Sequence, residues 1–161
     1  MSEEKLTSLD YAELIKFAGY KYHGVRLNKT QLNKILFYAY GMYLAVKKKP
    51  MFDNESPHAW PYGPVFPSMN RKIDVDTVIG GFSHEKVLQF QKDVDAMVIV
   101  RDAVNRLYDK SAYHLTQWSH EEDSPWFKTM FPESGEEVPW DTVINDDLIK
   151  DYFTKSANWD V

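Results

Sequence analysis

The sequence predicts a mainly α-helical fold, a compact single domain over residues 1–161 that is built around one central buried helix. The first reason is a run of twelve residues without a charge, from Ile35 to Val46. Its apolar side chains cover both sides of a helix, which is typical of a helix buried all round. The second is that Ser, Thr or Asn precedes most segments with a helical apolar period. The third is length, because a chain of this size buries on the order of 70% of its unfolded surface.

The first 50 residues predict two helices. Thr7 or Ser8 starts the first helix and Gly24 ends it. The central helix runs from Asn28 to Lys48 with Asn28 or Thr30 as its cap, and its Gly41 side is expected to accept the close approach of another element, such as the segment 60–65. The expected core face of the first helix is Tyr11, Ile15, Ala18 and Tyr22. The central helix has an apolar stripe of Leu32, Ile35, Leu36, Ala39, Met42, Tyr43 and Val46, framed by Lys29, Lys34 and Lys47 to Lys49.

The remaining residues predict a proline-rich segment and several shorter helices. Four prolines between positions 50 and 64 favour a short β-hairpin or an extended loop near residues 51–66. Beyond it we expect five helices, a turn at a glycine pair and a frayed tail. The helices run from Ser68 to about Ile73, from about Phe90 to Tyr108, from Ser111 to Trp118, from Ser124-Pro125 onward and from Asn145 onward; the turn is at Gly80-Gly81 and the tail follows Lys155.

Composition argues against several classes of protein, among them proteins that bind DNA through a pair of helices. The net charge of −5 and the pI near 5.5 argue against nucleic-acid binding, since duplex affinity comes mostly from Lys and Arg. A chain without Cys has no disulfide and no thiolate metal site, which suits a cytoplasmic location. The N-terminus lacks the basic and apolar regions of a signal peptide, and the central apolar run is shorter than the roughly 20 residues that cross a bilayer. We expect no membrane association.

Catalytic motifs are equally scarce. His114, His120 and Glu121 suggest a metal-dependent hydrolase as an alternative, but their spacing matches no helix-borne zinc motif. No nucleophile elbow and no phosphate-binding glycine pattern occurs. We therefore predict a protein that is not an enzyme, with no catalytic residue, no cofactor and no bound metal.

Aromatic residues make up 15% of the chain, and several lie beside prolines or at helix ends rather than within an apolar stripe. Two interpretations stay open for them. They are either core anchors beneath the proline-rich segment or part of a surface that binds a partner, because Tyr and Trp suit both environments. The residues concerned are Trp60, Tyr62, Phe66, Trp118 and Trp126.

Several motifs in a fixed order resemble one family. They are LNKILFYAYGMYLA at residues 32–45, then Phe52, AWPYGPV at 59–65, Ser111-Ala112, Leu115-Thr116, Ser119-His120, SPW at 124–126 and the apolar positions Ile144, Ile149, Tyr152 and Phe153. Together they resemble the Panacea domain, a SocA-like, phage-associated antitoxin family. One departure is that Gln117-Trp118-Ser119-His120 stands where the family usually has Leu-Thr-His.

This resemblance implies an antitoxin of a type II toxin–antitoxin pair, which neutralises a protein toxin encoded by a neighbouring gene through direct binding. An alternative that the family also implies is a proteolytic adaptor that delivers the toxin to the ClpXP protease. Matching the family's motif residues to this chain gives four candidate toxin-binding residues: Trp60, Tyr62, His120 and Trp126.

Overall fold

The computed structural model describes residues 5–77 and 81–161, which form eight α-helices and three short β-strands. The mainly helical fold around one buried helix is thus confirmed. The helices are α1 (Ser8–His23), α2 (Lys29–Lys47), α3 (Pro67–Lys72), α4 (His84–Gln91), α5 (Val94–Leu107), α6 (Ala112–Ser119), α7 (Pro125–Met130) and α8 (Asp146–Thr154); the strands are β1 (His58–Trp60), β2 (Gly63–Val65) and β3 (Thr142–Val143).

Helix α2 lies at the centre and contacts α1, α5, α6, α8 and β2. Asn28 and Gln31 form a capping box at its start, and Lys48 ends it in the left-handed conformation at φ 61°. Residues Leu32 to Gly41 are all buried, as the two-sided apolar pattern predicts. Two expectations were wrong. Val46 is 57% exposed because it lies in the last turn, and Lys34 is only 1% exposed because the hairpin packs over it.

Helix α1 starts and ends where expected. Thr7 and Asp10 form its capping box, and Gly24 ends it at φ 68°. Tyr11 and Ile15 are buried, whereas Tyr22 is 70% exposed. The prediction that Tyr22 faces the core was wrong, because the final turn of α1 extends beyond the residues that pack on α2.

The single helix expected from Phe90 to Tyr108 is two helices. Asp93 adopts a non-helical conformation, and its carboxylate accepts a hydrogen bond from the Ala96 amide, so that it starts α5. Helix α4 begins after Ser83, which caps it through the Lys86 amide. The sequence pattern missed this break because the apolar period continues across it. Asp93 also accepts a hydrogen bond of 2.6 Å from the Tyr43 hydroxyl, which ties the break to α2.

The proline-rich segment contains the expected hairpin, and a third strand joins it. Strands β1 and β2 are antiparallel, with His58 opposite Val65 and Trp60 opposite Gly63. Strand β3 pairs antiparallel with the other edge of β1, giving the order β2-β1-β3. The pattern did not predict β3, which has only two residues and lies more than 80 positions from its partner.

The C-terminal helices complete the core. Ser111, Ser124 and Asn145 cap α6, α7 and α8 as predicted. Gly41 does accept a close approach, but from the Phe153 ring of α8 and not from the hairpin; a Cβ atom there would overlap that ring. The tail is not frayed: Ser156–Trp159 forms a 3-10 helix. The Tyr38 hydroxyl donates to the Trp159 carbonyl at 2.9 Å. Of the Gly80-Gly81 turn, Gly80 lies outside the described residues.

Candidate functional site

The β1–β2 turn presents an exposed tyrosine on a constrained backbone. Tyr62 follows Pro61 in the turn and is 73% exposed. Gly63 comes next at φ 111°, a conformation that favours glycine, and it lies close against Ser119 and Lys34. The turn therefore holds the Tyr62 ring above the surface.

An indole hydrogen bond joins the hairpin to α7. Trp126 Nε1 donates to the Trp60 carbonyl oxygen at 2.7 Å, and the Trp126 side chain is only 7% exposed. Pro125 at the first position of α7 and the Ser124 cap fix where Trp126 lies. Since the acceptor is the last residue of β1, this bond sets the position of the hairpin on the helical core.

The His120 ring packs on the face of the Trp126 indole. The two rings stack with centroids 3.9 Å apart and an interplanar angle of 18°. The His120 Nε2 atom is buried and has no hydrogen-bond partner within the described residues. Burial lowers the pKa of His120, the nearby Lys34 charge lowers it further, and a backbone hydrogen bond with Pro61 opposes both. At neutral pH the ring is therefore uncharged, and its role in this packing is structural.

Asp141, which directly precedes β3, binds two side chains of β1. Its Oδ1 atom accepts from Trp60 Nε1 at 2.6 Å and lies 2.8 Å from His58 Nδ1. The hydrogen bond from Trp60 is the main cause that lowers the pKa of the Asp141 carboxyl. Asp141 has φ 73°, and its amide donates to the Ala59 carbonyl at 3.1 Å. These contacts of Asp141 bring the neighbouring Trp140 against Trp60, with ring centroids 6.0 Å apart.

We define the aromatic surface as Trp60, Tyr62, Trp126, Phe131 and Trp140, which lie in or beside the hairpin; within it Trp60 is half-buried and Trp126 is buried. Trp140 is 65% exposed and Phe131 is 60% exposed. Phe131 packs edge-on against Trp126 at 6.2 Å. Exposed aromatic side chains that adjoin one another are typical of protein-binding sites.

Lys34 lies beneath the hairpin. Its Nζ atom is 3.5 Å from the Pro64 carbonyl oxygen, and among the described residues it has no carboxylate partner. Burial alone lowers its pKa to about 8. This buried cation supports the underside of the turn and does not reach the surface.

The structure places all four candidate residues in or beside the β1–β2 hairpin, but with different exposure. Tyr62 is exposed, Trp60 and His120 are half-buried, and Trp126 is buried. Of the other two aromatic residues left open by the sequence, Phe66 and Trp118 are core residues. Sequence reasoning missed Phe131, Trp140 and Asp141. The signal for Phe131 and Trp140 was an aromatic residue beside each of Pro132 and Pro139, the same signal that singled out Trp60, whereas Asp141 had no local signal.

The alternative metal site does not form. Within residues 5–77 and 81–161, no group of three or more His, Asp or Glu side chains is arranged to hold a metal ion. His114 is exposed on α6, while His120 is stacked on Trp126. In the same described part of the chain, no helix combines the length and the apolar character needed to cross a membrane.

The fold and the aromatic surface beside the hairpin define a helical protein of a class suited to recognising another protein. The model of a protein family described as "Antitoxin SocA-like, Panacea domain" matches residues 32–127, from α2 through the hairpin to α7. The match covers more than half of the chain, and the protein belongs to this SocA-like antitoxin family. The resemblance seen in the sequence motifs is thereby confirmed. Neither the curated proteins nor the solved structures give a match to this chain.

Proposed function

We propose that the protein is the antitoxin of a type II toxin–antitoxin pair and neutralises a protein toxin, encoded by a neighbouring gene, by binding it directly. Its action is that of a binding protein in the cytoplasm, with no catalytic group, cofactor or metal. The family supports the antitoxin role. The aromatic surface supports the binding mode, and the acidic net charge of −5 makes nucleic acid an unsuitable partner.

One observation carries the location of the interface. Tyr62, Phe131 and Trp140 are each at least 60% exposed, yet they surround a hairpin that is fixed by two indole hydrogen bonds. A surface held in place before binding loses less conformational entropy when the partner docks. Tyr and Trp are also enriched among the few residues that dominate the affinity of an interface.

The four residues inferred from the motifs therefore divide into two roles. Tyr62 contacts the toxin directly. Trp60, His120 and Trp126 hold the hairpin and α7 together, through the hydrogen bond of 2.7 Å and the ring stack at 3.9 Å. Phe131 and Trp140 join Tyr62 as contact residues, although no family motif singles them out.

The test is co-expression of this protein with the product of the gene next to it. We expect the wild type to abolish toxicity and to co-purify with the toxin. Replacing both Tyr62 and Trp140 by Ser should raise the dissociation constant by at least about 30-fold. This change corresponds to about 2 kcal/mol of binding free energy, the loss expected when one dominant interface residue is removed. Isothermal titration with purified toxin measures the change, and circular dichroism verifies that the variant is folded.

Tyr113→Ser is the matched control, because Tyr113 is 74% exposed on α6 but lies outside the aromatic surface. It should leave both affinity and rescue unchanged. Toxicity that persists beside the wild type would overturn the antitoxin function. Full affinity in the folded Tyr62→Ser/Trp140→Ser variant would overturn only the assigned surface. Measuring toxin half-life with and without ClpXP separates blocking, in which the complex accumulates, from delivery to the protease.

A further inference from the structure

Helices α1 and α5 enclose an apolar groove of about 870 Å³ that the aromatic surface does not include. Its sides are two helical stripes. Leu14, Phe17, Ala18 and Tyr22 come from α1, while Val94, Met97, Val98, Arg101, Val104 and Asn105 come from α5, and Gln91 lies at one end. Each stripe has the spacing of one helix face.

On α1 this stripe is additional to the face that forms the core, whereas on α5 the core residues Val100 and Val104 also line the groove. In α1 the core positions are Tyr11, Ala12, Ile15 and Gly19, none of which lines the groove. In α5, Val100 and Val104 form the floor, and Val94 and Val98 stand above it at 67% and 60% exposure. A surface helix with a second apolar face is expected to bury that face against another element. The exposed Tyr22, unexplained by the core, belongs to this second face.

The groove is held in shape at the end of α1. The His23 ring stacks on Tyr108 with centroids 3.7 Å apart, and His23 Nε2 lies 2.9 Å from the Asn105 amide oxygen. On the α1 side, the Phe17 ring packs edge-on against Phe82 at 5.6 Å. The two His23 contacts fix the distance between the walls at this end before any partner binds.

The charges beside the groove are positive, on a protein whose net charge is −5. Arg101 lines it, and Lys21 lies 5.6 Å above the Phe17 ring. Among the residues that the structure describes, neither side chain has a carboxylate partner. By contrast Asp102, on the next position of α5, is already paired with Arg106 at 2.9 Å. The groove therefore offers two unneutralised cations to whatever occupies it.

We propose that this groove binds an amphipathic α-helix of a partner protein, with an apolar stripe that fills the groove and acidic side chains that meet Lys21 and Arg101. Two neighbouring helices form a trough that accepts a third helix at the usual distance of about 8–10 Å. Helix α5 has 14 residues and is therefore about 21 Å long, so the bound helix needs about four turns. Recognition is of the helix-in-groove type, with anchors at positions i, i+3, i+4 and i+7. This second binding surface goes beyond the proposed function and does not depend on it.

The test uses a designed probe and the full chain. A fluorescein-labelled helical peptide of 16 residues, with Leu at the four anchor spacings and Glu on both flanks, is titrated by anisotropy. We expect saturable binding that a scrambled peptide of equal composition lacks, and a peptide with Lys in place of Glu should bind roughly tenfold more weakly or worse. The double variant Lys21→Glu/Arg101→Glu should reverse the preference between the Glu and Lys peptides.

Val98→Asp should abolish binding, because it places a charge where the apolar anchors of the peptide dock. The fold should tolerate this change, since the Val98 side chain is already 60% exposed. Lys29→Glu is the control, since Lys29 is an exposed lysine in the first turn of α2. Equal affinity for both flanking charges, or no binding of the Glu peptide at 1 mM, overturns the proposal. So does sedimentation showing a dimer that Val98→Asp dissociates, because a second copy would then fill the groove. Toxin rescue is scored separately, so that loss of this site is distinguishable from loss of the aromatic surface.

Discussion

Lys34 shows how one side chain acquires an unusual environment from its neighbours. Its position in the first half of α2 suggested an exposed lysine, but the hairpin covers it and leaves it 1% exposed. Its Nζ atom lies 3.5 Å from the Pro64 carbonyl oxygen, which is long for a hydrogen bond. Burial then lowers its pKa from 10.5 to about 8. An ammonium group held in this way lowers the free energy of unfolding as long as it remains charged.

The sign of the pH dependence follows from the proton count. Between pH 8 and pH 10 the unfolded state holds the Lys34 proton while the folded state loses it, so the free energy of unfolding should rise with pH. We expect a rise on the order of 2 kcal/mol for the wild type relative to Lys34→Met. Urea unfolding at several pH values measures this difference. Tyr11, Tyr38 and Tyr152, whose pKa values are raised to about 12, act with the opposite sign only above pH 10.

Lys29→Met is the matched control on the same helix, because Lys29 is exposed. It should show the same pH dependence as the wild type. A flat difference between the wild type and Lys34→Met across this range would mean that Lys34 reaches solvent in the folded protein.

At the scale of elements, one loop residue completes the start of a distant helix. The residue that precedes α3, Phe66, has no side-chain acceptor for the first amides of the helix. Glu55 supplies it instead: its two oxygens accept from the Ser68 amide at 2.8 Å and from the Met69 amide at 3.0 Å. The Ser8 hydroxyl at the start of α1 donates to the same carboxylate. Glu55 therefore connects α1, α3 and the loop before the hairpin.

Glu55→Ala should lower the free energy of unfolding by about 1–3 kcal/mol, because it leaves two amides and a hydroxyl without their acceptor. Glu55→Gln should lose less, since the amide oxygen keeps one acceptor but loses the charge that favours a helix N-terminus. Chemical denaturation followed by circular dichroism measures both. Glu133→Ala, an exposed glutamate in the loop 132–139, should be neutral. Equal stability of Glu55→Ala and wild type would show that water replaces the carboxylate.

At the scale of the whole molecule, the C-terminal segment closes the core and is not a loose end. The Trp159 indole donates to the Phe153 carbonyl at 2.7 Å, and the Asn158 amide donates to the Tyr152 carbonyl at 2.9 Å. The Trp159 carbonyl in turn accepts from Tyr38, whose ring is fully buried in α2. The last residues thus reach the central helix from the far end of the chain.

Truncation after Lys155 should lower the free energy of unfolding by about 1–3 kcal/mol, because the Tyr38 hydroxyl loses its acceptor and Trp159 no longer covers the core. Thermal unfolding measures the loss. Tyr38→Phe should be destabilising in the full chain and nearly neutral in the truncated chain, a non-additivity that identifies the contact. Additive effects of the two changes would mean that the tail stabilises the core without Tyr38.

Much of the fold was predictable because helix signals are local. Thr7, Asn28, Ser111, Ser124 and Asn145 each cap the helix that the sequence assigned to them. A capping bond and an apolar period depend on residues only three or four positions apart. The break at Asp93 is the exception. Asp is also a common capping residue, but the apolar period on both sides of Asp93 concealed the helix start.

The sequence by itself determined the central helix, most helix starts, the hairpin and the family. Only the tertiary structure decided what lies at the surface and what lies beneath it: the burial of Lys34, the two-residue strand β3, the contacts of Asp141 with the hairpin, and the packing of Trp140 on Trp60 and of Phe131 on Trp126. The physical reason is sequence separation. Asp141 stabilises Trp60 across 81 positions, and a contact of that kind has no local signature because its free energy appears only when the rest of the fold brings the two residues together.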